Sequence, residues 1–195
     1  MATPLRRPDD DITKAKAALR KQLIAAREAL DPKERSRLST ALMEAVMALP
    51  QFQSARSVLA TMAIGAEWNT GPLIRAARQA GKAIVLPRVT PKPSRLELHR
   101  LDDPKDLVPG VWDIPEPHAE RCPVVRLEEL DFALVPALAA DRRGYRLGYG
   151  AGYFDGLLQG RGPRPYCVTA LPAQFVVDEL PHNERDVPVD KVITA

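Results

Sequence analysis

The segment from Arg143 to Asp155 concentrates residue types that suit phosphate binding. Its glycines are Gly144, Gly148, Gly150 and Gly152. Glycine adopts positive φ readily and lets the backbone approach a ligand without a Cβ atom in the way. Successive N–H groups in such a loop can surround an anion, and Arg143 and Arg146 add forked donors that match phosphate oxygens. Asp155 follows the last glycine, where a carboxylate can hold a magnesium ion that bridges phosphates.

This glycine run differs from the two common phosphate-binding motifs. The pattern GxGxxG fails in both registers because Tyr153 or Asp155 stands where the third glycine is required. A Walker A loop is excluded because no Gly-Lys-Ser or Gly-Lys-Thr follows. A glycine-rich turn that only reverses the chain is the remaining alternative. Alternating glycines with two arginines and a terminal aspartate exceed what such a turn requires, so we favour an anion site.

Two helices are predicted before this run. The first extends over about 12–30, with Leu19, Leu23, Ala26 and Leu30 on one face. Its basic surface consists of Lys14, Lys16, Arg20, Lys21 and Arg27. Asp31 caps the second helix and Pro32 takes its first position. This helix is expected to continue to residue 49, where Pro50 stops it.

The rest of the chain predicts an α/β sheet. A strand at 57–63, a helix from Gly71 to Ala80 with Gly81 as its C-cap, and a strand at 82–86 closed by Pro87 form a strand–helix–strand unit. Further strands are expected at 131–136, 166–170 and 191–194, with a helix at 152–159. The glycine run then follows a core strand and precedes a helix, which is where open α/β sheets bind ligands.

We therefore predict an α/β fold with a three-layer, mainly parallel Rossmann-like sheet flanked by helices. Residues 1–195 are expected to form a single domain, with residues 1–11 flexible. Residues 87–125 are rich in proline, and 95–100 (RLELHR) alternates like an edge strand or a short hairpin. We interpret 87–125 as an excursion from the sheet whose loops wall a cleft.

The composition argues against several other classes of protein. The net charge is only +3, with 28 Lys and Arg against 25 Asp and Glu, and aromatic residues make up 5%, so nucleic-acid binding is not expected. Cys122 and Cys167 lie outside any CxxC pattern and predict buried thiols. The N-terminus lacks an apolar signal region, and the longest apolar run, 132–140, is far below the ~18 residues of a membrane helix. We expect a cytoplasmic protein.

Residues 141–155 (DRRGYRLGYGAGYFD) resemble the signature FDxxGxRLGxGxGYYD of the 5-formyltetrahydrofolate cyclo-ligases, also called methenyltetrahydrofolate synthetases. Three positions depart from that pattern: Ala140 replaces Phe, Ala151 replaces Gly or Lys, and Phe154 replaces Tyr. Ala151 requires a negative φ or a ligand that stands back. The hydroxyl absent from Phe154 removes at most one hydrogen bond, typically ~1 kcal/mol.

Four further segments resemble the family, in the same order along the chain. Residues 16–20 (KAALR) are similar to its ATP-contacting KxxLR, and 67–70 (EWNT) to its ExxT. Residues 109–117 (PGVWDIPEP) resemble GxxGIxEP, and 182–186 (HNERD) resemble HxxxD. Met62 falls at a position that contacts folate in the family.

The resemblance implies an enzyme that converts ATP and 5-formyltetrahydrofolate into 5,10-methenyltetrahydrofolate, ADP and phosphate, through phosphorylation of the formyl oxygen and attack by N10. The cofactor implied is Mg²⁺, held by Asp155 and Asp186. Arg146 and Glu67 are the implied catalytic residues. The implied ATP-binding residues are Lys16, Arg20, Arg146, Leu147, Gly148, Tyr149, Gly150, Ala151, Gly152, Tyr153 and Phe154. The implied folate-binding residues are Met62, Glu67, Tyr149, Gly150, Ala151, Gly152 and Tyr153.

The partners implied are these two substrates, with no nucleic acid and no membrane, and a monomer or weak homodimer. Two alternatives remain at this point. A catalytically silent relative would keep the fold and lose a ligand or metal residue, but Arg146, Asp155, Glu67 and Asp186 are all retained. An RNA- or phosphate-binding accessory module would use the basic first helix and the pair Arg142-Arg143, and its RNA binding would depend steeply on salt.

Overall fold

The computed structural model describes residues 8–160 and 162–195. The helices are α1 (Pro8–Glu28), α2 (Pro32–Met47), α3 (Pro50–Ser54), α4 (Gly71–Gln79) and α5 (Tyr153–Leu158). The strands are β1 (Ser57–Leu59), β2 (Ala83–Pro91), β3 (Ser94–Arg100), β4 (Leu107–Pro109), β5 (Pro115–Pro117), β6 (Val124–Val125), β7 (Phe132–Leu134), β8 (Ala139–Asp141), β9 (Arg146–Leu147), β10 (Tyr166–Ala170), β11 (Val176–Val177) and β12 (Lys191–Ile193). Residues 1–11 were predicted to be flexible. Residues 1–7 lie outside the described part of the chain, and the chain is helical from Pro8 onward.

The main sheet has seven strands in the order β12-β10-β7-β1-β2-β3-β6. The first five of these are parallel to their neighbours, and β3 and β6 are antiparallel additions at one edge. The predicted mainly parallel α/β sheet is confirmed. The order places β1, β7 and β10 side by side, so the loops that follow these strands meet at one edge of the sheet.

The two faces of the sheet carry separate hydrophobic clusters. One face packs with α1 to α4 around Leu42, Val58, Leu73 and Phe132, none of which is measurably exposed. The other face includes Leu59, Ala133 and Cys167, and Leu158 of α5 packs there. Burial on both faces is typical of parallel strands in a three-layer fold. No helix in the described ranges is long and apolar enough to cross a membrane.

Two prolines act differently from their predicted roles. Pro50 begins α3 rather than only stopping α2, because the first turn of a helix does not need its missing N–H. Pro87 lies inside β2, opposite Leu98 of β3. The pairing of β2 with β1 ends at Val85. The N–H that Pro87 lacks is therefore not needed for a hydrogen bond to a neighbouring strand on that side.

The proline-rich excursion is shorter than predicted. β2 and β3 form a hairpin that extends the main sheet, and β6 returns to it, so most of 83–100 belongs to the sheet. Only the segment with β4 and β5 leaves it as a separate two-stranded ribbon. Glu116 anchors this ribbon: it is 3% exposed, accepts a hydrogen bond from the N–H of Val89 at 3.3 Å and lies 3.7 Å from the Arg88 guanidinium.

The glycine run does not follow a strand of the main sheet directly, contrary to the prediction. β7 ends at Leu134, and the run begins within a hairpin of β8 and β9 that forms a three-stranded sheet with β11. The tight turn of the hairpin requires Gly144, whose φ is +90°. The run then continues as an exposed loop over 149–152 and enters α5.

Candidate active site at the carboxyl edge of the sheet

α1 lies across the edge where the loops after β1, β7 and β10 meet, and one of its faces is turned toward the glycine run. Lys16, Arg20 and Arg27 are spaced four and seven residues apart, so they share this face. The face is rotated from the predicted one, because Ala26 is exposed and Arg27 is buried. Three cations of one helix therefore point toward the same edge of the sheet, where each contacts a different loop.

Lys16 reaches the loop before β12. Its Nζ lies 2.6 Å from both carboxylate oxygens of Asp186, and the two side chains are 13% and 14% exposed. The N–H of Asn183 also donates to Asp186, at 2.7 Å. Lys16 and Asp186 are 170 residues apart in the chain, and the structure brings these two predicted residues together.

Arg20 contacts the glycine run itself. Its Nε donates to the carbonyl of Gly148 at 2.8 Å. A Cβ atom at Gly150, where φ is +117°, would lie 3.5 Å from the same guanidinium. Arg20 therefore fixes the first part of the loop and lies beside its most exposed part.

Arg146 is the central cation of this half of the site. Its side chain is only 3% exposed, donates to Asp155 at 2.9 Å and also donates to the carbonyl of Val187. The N–H of Val187 donates to the same Asp155 oxygen at 3.1 Å. Burial lowers the pKa of the Arg146 guanidinium, whereas the nearby Asp155 and Asp186 raise it. One cation thus lies within electrostatic range of both predicted metal carboxylates.

The backbone between these charges is available for a ligand. In the part of the chain that the structure describes, the N–H groups of 148–152 donate no hydrogen bond. Gly150 and Gly152 have φ of +117° and +70°. Ala151 between them is not in the left-handed region, so its Cβ meets the requirement for a negative φ that was stated from the sequence. Exposed donors without partners are suited to bind anions. We call Lys16, Arg20, Arg146, Asp155, Asp186 and 148–152 the phosphate half of the site.

The other half lies on the opposite side of Tyr149. Glu67 follows β1 and accepts a hydrogen bond from the N–H of Ile64 at 3.1 Å. The carboxylate of Glu67 borders a small cavity together with Arg27, Trp68 and the segment after β7. The Tyr149 hydroxyl interacts with both Glu67 and Arg27. We call Arg27, Glu67, Tyr149 and this cavity the folate half, after the substrate expected for Glu67.

Burial dominates the electrostatics of the folate half. Desolvation raises the pKa of Glu67, while the hydrogen bond from Ile64 and the charge of Arg27 lower it. Desolvation and then the Glu67 carboxylate raise the pKa of Tyr149 to about 12, although the residue as a whole is 46% exposed. The pair therefore contains a carboxylate that is held in a poorly solvated position and a phenol that stays protonated.

Tyr153 also lies in the site, but Leu147 and Phe154 contribute no free side chain. The Tyr153 hydroxyl hydrogen bonds with that of Ser94 at 2.8 Å. Leu147 is 2% exposed, and the partly buried Phe154 packs on the second hydrophobic cluster; the proposed contact of Leu147 with ATP would therefore use its backbone. Met62 is half-buried and packs on the first cluster beside the segment that carries Glu67.

Two residues of the site were not predicted. Trp112 is 65% exposed, has φ of +59° and lies 6.4 Å from the Tyr153 ring, centroid to centroid. An exposed tryptophan in a proline-rich loop was the available signal. Arg27 was assigned to a solvated surface; the signal for its burial was its position on the same face as Lys16 and Arg20.

Arg143 and His182 make their contacts within the hairpin and the C-terminal segment. Arg143 donates to Asp141 at 2.9 Å and lies 3.1 Å from Glu179, and its contact with phosphate stays a prediction. His182 stacks on Tyr145 with 3.9 Å between ring centroids.

The donor set is compatible with magnesium that is bound together with phosphates. The described residues include no group of three or more His, Cys, Asp or Glu side chains that could hold a metal alone. Mg²⁺ commonly takes one or two carboxylates and completes its shell with phosphate and water. Asp155 uses Oδ1 for both of its hydrogen bonds, which leaves Oδ2 for such an ion.

Comparisons with known proteins agree on one family. A family model described as the 5-formyltetrahydrofolate cyclo-ligase family matches residues 12–195. The NMR structure of 5,10-methenyltetrahydrofolate synthetase from Aquifex aeolicus is 34% identical, with a TM-score of 0.80, and the match covers 92% of this chain and 89% of that chain.

Two curated relatives extend this result. The 5-formyltetrahydrofolate cyclo-ligase of Saccharomyces cerevisiae is 30% identical over 203 residues, covering 91% of this chain and 94% of the yeast protein. The Mus musculus protein of the same name is 28% identical over 191 residues, covering 93% and 94%. This chain therefore belongs to the 5-formyltetrahydrofolate cyclo-ligase family, and it is a ligase.

Proposed function

We propose that the protein converts 5-formyltetrahydrofolate to 5,10-methenyltetrahydrofolate with ATP and Mg²⁺, releasing ADP and phosphate. The observation that carries the proposal is the two-sided loop 148–152. Its unpaired N–H groups lie among Lys16, Arg20 and Arg146 on one side. Tyr149 of the same loop interacts with Glu67 on the other.

The phosphate half is suited to the triphosphate of ATP. A transferring phosphoryl group spreads negative charge over its oxygens, so its stabilisation requires positioned donors and cations more than covalent chemistry. Arg146 is held in one orientation by Asp155 and by the Val187 carbonyl. Because these contacts exist before a ligand binds, the guanidinium needs little reorganisation when charge develops near it.

Magnesium belongs to the same proposal. Asp155 and Asp186 would hold it, and when bound it would neutralise phosphate charge. Each carboxylate already faces a cation of the protein, Asp155 the Arg146 guanidinium and Asp186 the Lys16 ammonium. We expect Lys16 to exchange its contact with Asp186 for a contact with phosphate when ATP enters with its metal ion.

The folate half would orient the second substrate. A formamide oxygen is a poor leaving group, and transfer of the γ-phosphoryl group to it makes phosphate the leaving group. N10 of the same molecule then attacks the formyl carbon and releases its proton to water, and the C–O bond breaks as phosphate departs. Glu67 would hold polar N–H groups of the pterin, which places the formyl oxygen toward the phosphate half. Proximity of the two substrates accounts for most of the acceleration in this scheme.

An absorbance assay for 5,10-methenyltetrahydrofolate tests the proposal. Product should form only when enzyme, 5-formyltetrahydrofolate, ATP and Mg²⁺ are all present, and ADP should form in equal amount. EDTA should stop the reaction, and excess Mg²⁺ should restore it. Product without ATP, or no product from folded protein, would contradict the proposal. A cytoplasmic location and a monomer or weak homodimer are proposed with it; light scattering at assay concentration tests the latter.

A further inference from the structure

Arg27 is the most buried charged side chain among the α1 residues from 11 onward, whose burial is described, and neither the sequence motifs nor the phosphate half explain it. The residue is 2% exposed, although arginine is rarely buried unless it is paired. It lies on the same face of α1 as Lys16 and Arg20, seven residues beyond Arg20. The face that carries the two predicted ATP-binding cations therefore carries a third cation, which points into the folate half.

The guanidinium of Arg27 joins three loops at the carboxyl edge of the sheet. It donates to the carbonyls of Ala137 and Leu138, after β7, at 2.8 and 3.1 Å. Its Cζ lies 4.7 Å from the ring centroid of Trp68, after β1, and 5.4 Å from that of Phe175, after β10. These contacts fix the plane and position of the guanidinium.

Two groups of the folate half face this fixed cation. They are the Glu67 carboxylate, from the loop after β1, and the Tyr149 phenol, from the glycine run. Arg27 and Glu67 also border the same cavity. No contact in the described structure links Arg27 to Asp155 or Asp186, and Arg27 reaches the glycine run only through the Tyr149 side chain.

We propose that Arg27 is a positioning residue for the folate substrate: its buried guanidinium, fixed by the loop after β7 and by Trp68 and Phe175, orients Glu67 and Tyr149 at the cavity that it borders with Glu67, without contacting ATP. This inference rests on the function proposed above. A merely structural role, donating to the carbonyls of Ala137 and Leu138, does not require the charge, because a neutral amide side chain can also donate to a carbonyl. A cation beside a desolvated carboxylate favours the ionised form that accepts N–H groups of a pterin.

The test compares R27Q and R27K with the full-length wild-type protein. Binding of 5-formyltetrahydrofolate and of Mg·ATP is measured separately by calorimetry, at several pH values. R27Q should weaken folate binding about ten- to hundredfold, the cost of misplacing a binding group, and change Mg·ATP binding less than about threefold. R27K retains the charge without the planar guanidinium, so its folate affinity should fall between those of the wild type and R27Q.

The pH dependence separates positioning from structure. Arg27 and Tyr149 are the ionisable groups that face Glu67. Loss of the Arg27 charge raises the pKa of Glu67 further, so folate affinity in R27Q should decline at a higher pH than in the wild type as the pH is lowered. L23A is the matched control, since Leu23 is buried on the same helix and carries no charge. It should lower thermal stability without moving the pH profile.

Each outcome decides the inference. Equal losses of folate and ATP affinity in R27Q, or an unmoved pH profile, would overturn it. If R27Q does not fold, R27K decides: wild-type folate affinity in R27K would overturn the proposal, and reduced affinity with an unchanged pH profile would support it. If the wild-type protein binds ATP but not 5-formyltetrahydrofolate, the proposed function itself is overturned. If the wild type binds 5-formyltetrahydrofolate and R27Q binds it equally well, only the inference about Arg27 is overturned.

Discussion

Replacement of Asp186 by Asn tests how the phosphate half compensates its charges. Without a ligand, Lys16 Nζ lies 2.6 Å from both Asp186 oxygens, and both side chains are largely shielded from water. A hydrogen bond to a charged group contributes about 1.5–3 kcal/mol. ATP must replace this contact before Lys16 can bind phosphate. D186N removes most of that cost, because an amide oxygen binds an ammonium group less strongly than a carboxylate does.

We therefore expect opposite effects with and without the metal. In EDTA, D186N should bind ATP about ten- to hundredfold more tightly than the wild type. This ratio is the free energy of the Lys16–Asp186 hydrogen bond converted to a ratio of dissociation constants. In excess Mg²⁺ the advantage should vanish, because the variant lacks one proposed metal carboxylate. Calorimetric titration of ATP into each protein, with EDTA or with Mg²⁺, measures both quantities.

E184Q is the matched control for D186N. Glu184 is exposed in the same loop, so this variant makes the same change of net charge at almost the same place. Its ATP affinity should stay close to that of the wild type in both buffers. The reasoning about Lys16 is refuted if D186N binds metal-free ATP no more tightly than E184Q.

Three further predictions concern single residues. R146A should lower kcat at least tenfold in steady-state assays, which corresponds to ~1.4 kcal/mol of transition-state stabilisation; unchanged kinetics would remove Arg146 from the site. E67Q should weaken folate binding more than ATP binding and raise the melting temperature at neutral pH. The folded state raises the pKa of Glu67 through burial, so the gain should disappear below the ordinary pKa of glutamate. Equal loss of both substrates would contradict this assignment. G144A places a Cβ against the Val189 carbonyl at a φ of +90°. The resulting strain should cost ~1–3 kcal/mol of folding free energy and lower the melting temperature by several degrees. An unchanged melting temperature would contradict the assigned strain.

The local elements could be predicted because their signals lie within a few residues. The strand at 166–170 was predicted with its observed bounds, and Asp31 caps α2 through the N–H groups of Lys33 and Glu34 at 2.9 and 3.2 Å. β2 was predicted too short because Pro87 was expected to end it. Pro87 is tolerated inside β2 because β1 has already ended, so the strand has a neighbour on only one side at this point. Strand order is a property of the whole chain and cannot be read from one segment.

The residues of the candidate site could be named from the sequence, but their contacts could be predicted only in part. The glycine run with Arg146 and Asp155 predicted an anion site from composition and spacing. The contact of Lys16 with Asp186 joins residues 170 positions apart, and no local pattern encodes such a distance. Arg27 was placed on a solvated face because arginine usually is. The burial of Arg27 depends on Trp68 and Phe175, which come from two other parts of the chain.

α1 also sets a fixed distance between the two halves of the candidate site. Lys16 and Arg27 are eleven residues apart on one continuous helix, which is about 16 Å along its axis at ~1.5 Å per residue. An insertion of one residue between Arg20 and Arg27 would turn Arg27 by about 100° relative to Lys16. The glycine run could not follow that rotation while Arg20 holds Gly148. The length of α1 between these cations is therefore a constraint on the sequence that no single substitution would reveal.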